Sequence, residues 1–161
     1  MMPYRGLAIL PLLLASAPKQ AASFSYAGVS LESDLTQVAA RYPHSTPQGD
    51  YLRLEPQDVH DHISSIEVSG SGLARRVRIA FELQDAAGRA RYPRCEEIEA
   101  RLVAPFGAPK EIRRFSEEAA LRADRVWRSD TEELVLLCFR MSEGLLLAEA
   151  VQITRRPQPP K

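Results

Sequence analysis

Charge of either sign is not in excess in this sequence: 21 lysines and arginines stand against 21 aspartates and glutamates. A chain so balanced, with no basic stripe, lacks the electrostatic footprint of a nucleic-acid binder. Cysteine is scarce as well, at two residues, Cys95 and Cys138. Their spacing excludes a Cys-x-x-Cys redox motif. With no histidine at helical or turn spacing beside them, they also lack a zinc ligand set. No Gly-x-Ser-x-Gly elbow is present, and Gly70-Ser71-Gly72 reads as a turn. A phosphate loop and a dinucleotide fingerprint are missing too. The adjacent carboxylates Glu96-Glu97 and Glu117-Glu118 point in different directions and read as solvated charge.

Long apolar runs are absent. The longest stretch near the N-terminus, residues 6–17, follows Arg5, is interrupted by Pro11 and leads into small residues. A membrane helix needs about 20 apolar residues, so this stretch is too short. Its plan is that of a secretory signal peptide. Cleavage after Ala17 would leave Pro18 beyond the cut, whereas cleavage after Ala22 places Gln20 where a small residue is preferred. The expected division is a leader over 1–22, a single domain over 23–154 and a mobile Pro-rich tail over 155–161. No cysteine follows the apolar run to accept a lipid, so the mature chain is expected to be soluble, periplasmic or extracellular, with no membrane anchor. Removing 1–22 takes away Arg5 and Lys19 and no acid, leaving 19 basic residues against 21 acidic, a net charge of −2.

Export gives the cysteines a meaning. An oxidising compartment lets Cys95 and Cys138 pair, and an even count with none left over favours a structural disulfide. The alternative is two separate buried thiols. A bridge would occupy both sulfurs and leave no cysteine nucleophile.

The composition, 45% apolar and 26% charged, is that of a globular protein rather than a disordered one. Two helices are expected. One follows a candidate N-cap at Ser33, with Leu35, Val38, Ala39 and Tyr42 at helical spacing and Pro43 ending it. The other begins at Pro93 with Glu96 and Glu97 at the positive end of its dipole. Its stripe is Cys95, Ile98, Leu102 and Phe106, closed by Gly107 and Pro109, with Pro105 expected to loosen the last turn. Residues 76–83 alternate cleanly and predict a strand covered on one side. Weaker strands are expected at 51–55 and 62–69, and further ones at 111–116, 123–128, 133–140 and 145–154. In 133–140, Leu134, Leu136 and Cys138 share one face and Val135, Leu137 and Phe139 the other, the mark of an interior strand or of a face left for a partner. The fold expected from this order is α+β: an antiparallel sheet with two helices packed on one face, possibly as two helix-hairpin halves.

The pattern Phe24-x-Tyr26-x-Gly28-Val29-x-Leu31, followed by a short helix ending Tyr42-Pro43, resembles small exported bacterial envelope proteins built from helix-plus-hairpin repeats. These include the outer-membrane-assembly lipoproteins of the SmpA/OmlA type and the β-lactamase-inhibitor-like fold. The later Leu102-x-x-x-Phe106-Gly107-x-Pro109 is similar to an ending found in exported proteins of unassigned role. The resemblance implies that architecture and a binding-type role, and it carries over no functional residues.

One local cluster invites chemistry. In Asp58-Val59-His60-Asp61-His62 an extended backbone would aim His60 and His62 to one side, where they could share a metal with a carboxylate from elsewhere. The bland reading is a solvated, hydrogen-bonded surface, with no metal and no cofactor. Trp127 reads either as a core residue or, beside Arg125 on one strand face, as a binding hot spot. The sequence therefore points to a non-enzymatic envelope accessory or binding module whose partner is a protein or other envelope macromolecule. A small metal-dependent hydrolase using His60 and His62 is the alternative, and a small-ligand carrier with an apolar pocket is a third.

Overall fold

A computed structural model describes residues 23–54, 63–84, 87, 90–117, 120–141 and 144–156. Along the chain these form β1 (Ser25–Tyr26), β2 (Val29–Ser30), α1 (Leu35–Arg41), β3 (Thr46–Gln48), β4 (Tyr51–Leu54), β5 (Ile63–Ser71) and β6 (Leu73–Phe81). There follow β7 (Leu83–Gln84), β8 (Ala90–Arg91), α2 (Cys95–Phe106), β9 (Glu111–Glu117), β10 (Ala120–Arg128), β11 (Glu132–Arg140) and β12 (Leu146–Arg155). Eight strands make one antiparallel sheet in the order β3-β4-β5-β6-β12-β11-β10-β9. β1 with β2, and β7 with β8, make two-stranded ribbons beside it.

The protein is thus mostly β, and the α+β expectation is overturned. The helices are 7 and 12 residues long, too short to build a layer over eight strands. Helix-and-hairpin halves do not form either. Each helix is followed by a four-stranded meander, and the two meanders fuse where β6 pairs with β12, with Val77 opposite Ile153 and Ile79 opposite Val151. Local periodicity marks the individual strands but does not encode this pairing between segments roughly 75 residues apart, in which Val77 and Ile79 bury one face of the seam with Ile153 and Val151.

The alternation in the sequence sets what each strand buries. Ile66 and Val68 on β5, Val77, Ile79 and Phe81 on β6, Leu134 and Leu136 on β11, and Val151 and Ile153 on β12 join one core with Val38 of α1 and Ile98 and Leu102 of α2. Full burial of such a side chain contributes about 1.5–3 kcal/mol. Leu146 packs at the margin of this core, and β12 continues one residue past Thr154 to Arg155.

Helix α1 is capped by Asp34, not Ser33: the Asp34 carboxylate accepts the N–H groups of Thr36 at 2.8 Å and Gln37 at 3.2 Å. Ser33 instead accepts the Ser30 N–H through its hydroxyl at 3.0 Å. The helix entry is stitched to the β5–β6 turn, because Leu35 N–H donates to Gly72 C=O and Ala74 N–H donates to Ser33 C=O. That turn needs Gly70, where a Cβ would lie 2.1 Å from the Leu73 carbonyl oxygen.

Helix α2 begins where Glu97 accepts the Arg94 backbone N–H at 3.0 Å. It stays helical through Pro105 to Phe106, and Gly107 closes it with an N–H to Val103 C=O at 2.8 Å, so its last turn is not loosened as expected. Its start is held to the sheet by Ala148 N–H donating to Pro93 C=O at 2.9 Å. Cys95 and Cys138 face each other there at disulfide distance, with Cα atoms 5.9 Å apart. Among the described residues no helix is long and apolar enough to cross a membrane.

Candidate functional site

The sheet has two outer strands, and they differ. β3 is three residues long and contains Pro47, two features that blunt an edge. β9 is seven residues long, contains no proline, and pairs with β10 alone. It carries Ile112 at 48% exposure and Phe115 at 42% on opposite faces, and Leu121 on β10 is exposed on the face of Ile112. The strand is also charged at Glu111, Arg113, Arg114 and Glu117, but its length and the exposed apolar groups on both of its faces leave it open to an added strand.

At the end of the sheet where β9 turns into β10 and β11 leads to β12, a cleft of about 300 Å³ opens between Arg114, Phe115, Leu121, Arg122, Arg140 and Leu146. Arg114 and Arg140 are exposed and take part in no ion pair among the described residues. Arg122 lies over the Phe115 ring, 6.0 Å from its centroid, and bonds Asp124 through Nη2 at 3.1 Å. Its Nε is buried without a hydrogen-bond partner. The cleft therefore offers guanidinium donors beside apolar walls, a combination suited to a carboxylate next to an aliphatic or aromatic group.

Asp124 fixes this end internally. Its carboxylate is buried and accepts the Cys138 backbone N–H at 3.0 Å, at a place where β10 and β11 make no direct cross-strand pair. A charged residue inside a strand is unfavourable by propensity, which is the signal by which the sequence could have marked Asp124.

The far side of the sheet, which carries Val135, Leu137 and Phe139, is partly covered. Val135 is buried against its cross-strand partner Val126, which is buried too. Leu137 and Phe139 are half-buried, and Tyr92 stands edge-on to Phe139 with ring centroids 5.2 Å apart. Ion pairs flank them. Arg128 bonds Glu111 and, at 2.9 Å, Glu133, and Arg113 reaches both acids at 3.4 Å. The hydrogen bond from Arg128 lowers the Glu111 pKa from its ordinary 4.5. The bond that Arg128 donates to Glu133 raises the Arg128 pKa.

Trp127 is a core residue at 1% exposure, so the hot-spot reading falls. Its indole N–H donates to Gly107 C=O at 2.8 Å and ties β10 to the end of α2. Arg125 binds Glu99 of α2 at 2.9 Å. Glu96 and Glu97 occupy the first turn of α2. His60, His62, Asp58 and Asp61 lie outside the described residues. Among the described residues no group of three or more histidines, cysteines or acids is placed to hold a metal ion. No protein-family model matches the chain, and neither the curated proteins nor the solved structures yield a match.

Proposed function

We propose that this is an exported accessory protein that binds an extended, acidic and apolar segment of another envelope protein along β9 and into the adjoining arginine-lined cleft. The observation that carries the reading is the contrast between the edges: β9 is long and proline-free, with Ile112 and Phe115 exposed among its charged residues, where β3 is short and interrupted. A peptide adding to such an edge gains main-chain hydrogen bonds, and side-chain pockets select the sequence. Arg114 and Arg140 would receive its carboxylates and Ile112, Phe115 and Leu121 its apolar groups.

Export supports the same reading through the cysteines. In an oxidising compartment Cys95 and Cys138 close a loop spanning 43 residues, and a bridge over such a loop stabilises by about 4 kcal/mol in the chain-entropy picture. It clamps α2 to β11 and leaves β9 and β10 as the outermost pair.

Site-specific photocrosslinking in an exporting bacterial host tests the reading. A photoreactive phenylalanine analogue at Phe115 is expected to form one dominant adduct with an envelope protein. The same group at exposed Leu73, on the distant β5–β6 turn, should form none. Arg114→Glu with Arg140→Glu should abolish the adduct. Equal labelling from both positions, or an adduct insensitive to the arginine changes, would reject it.

A further inference from the structure

Glu132 is the feature that the binding role leaves unused. It begins β11, is 1% exposed, and takes part in no ion pair among the described residues. Among the described residues its carboxylate accepts one hydrogen bond, from the backbone nitrogen of Phe24 at 2.8 Å. An ionised carboxylate held away from water by one neutral amide is poorly compensated, since burial costs several kcal/mol unless an opposite charge faces it. Phe24 is itself anchored: it is 4% exposed and its ring meets Phe106 edge-on at 5.2 Å. Ser23, one residue earlier, is exposed.

The sequence supplies the missing charge. Ala21-Ala22-Ser23 has the small-x-small form of a leader cleavage site, and Phe24 after it is not proline. This cut avoids both difficulties met by cleavage after Ala17 or Ala22. We propose that the mature chain begins at Phe24 and that its new α-ammonium group is the buried counter-ion of Glu132. The proposal rests on the export reading. An envelope endopeptidase adds water across the Ser23–Phe24 peptide bond: the hydroxyl goes to the Ser23 carbonyl, which leaves on the leader as a carboxylate. The hydrogen goes to the Phe24 nitrogen, which takes up a further proton to become the ammonium. A weak amide contact thereby becomes a charge-assisted bond in the same place. Folding around Glu132 then favours chains that have lost their leader.

The test uses the full chain, leader included, made in an exporting bacterial host and purified from the envelope fraction. Intact mass and N-terminal sequencing are expected to give Phe24 as the first residue. A start at Pro18 or Ser23 overturns this proposal and leaves export standing, whereas an uncut chain overturns both. The α-amino group is then acetylated at neutral pH. The wild type should react about tenfold more slowly than Glu132→Gln, the effect of about one pKa unit of pairing. Equal rates would overturn the ion pair. Should Glu132→Gln fail to accumulate, wild-type protein unfolded in urea provides the reference rate, and the slowing relative to it must still appear.

Discussion

The carboxylate of Asp124 takes the backbone N–H of Cys138 at 3.0 Å, so a side chain of β10 fills a gap in the ladder beside the cysteine that faces α2. The same carboxylate receives Arg122, whose guanidinium lines the cleft. The sheet, the helix clamp and the candidate binding surface therefore meet at one buried acid.

Asp124→Ala leaves the Cys138 N–H without its acceptor and frees Arg122. Removing one partner of a buried hydrogen bond costs about 1–3 kcal/mol. The expected order in urea denaturation is wild type, then Asp124→Asn, which keeps an oxygen acceptor, then Asp124→Ala. An alanine variant as stable as wild type would show that the gap in the ladder is satisfied without the carboxylate.

Acid should weaken the far face. Because Arg128 lowers the Glu111 pKa in the folded state, the unfolded chain binds the proton first as pH falls. The contribution is fully present above the ordinary glutamate value and is lost as pH drops through the lowered one. Glu111 is only half-buried in its ion pair, so the effect is a shallow slope and salt reduces it. Stability measured across the acid range should fall less steeply in Glu111→Gln than in wild type. Parallel slopes in the two proteins would remove Glu111 from the account.

Much of the secondary structure is legible in the sequence, and the architecture much less so. The stripe Cys95, Ile98 and Leu102 marks α2, and the alternations through Ile79 and Phe81 and through Leu134 and Leu136 mark β6 and β11, because each period reports a buried face. Thr46–Gln48 is invisible by the same rule: β3 is wholly exposed, and its pairing with β4 depends on backbone bonds that carry no hydrophobic signal. Fold class is not legible because β6 and β12 choose each other across the whole second half of the domain, which turns two meanders into one sheet. The candidate site was equally hidden. Leu137 and Phe139 look like a docking surface in sequence, yet neighbouring side chains half cover them. Ile112 and Phe115 gain significance only once β9 is known to be an edge.

Amide hydrogen exchange along β9 and β11 in the isolated protein tests the central claim most directly. An open edge strand bonds on one side only, so alternate amides of Glu111–Glu117 should exchange quickly while those of Glu132–Arg140, bonded on both sides, stay protected. Uninterrupted protection along β9, equal to that of β11, would mean that the edge is already covered and would contradict the account.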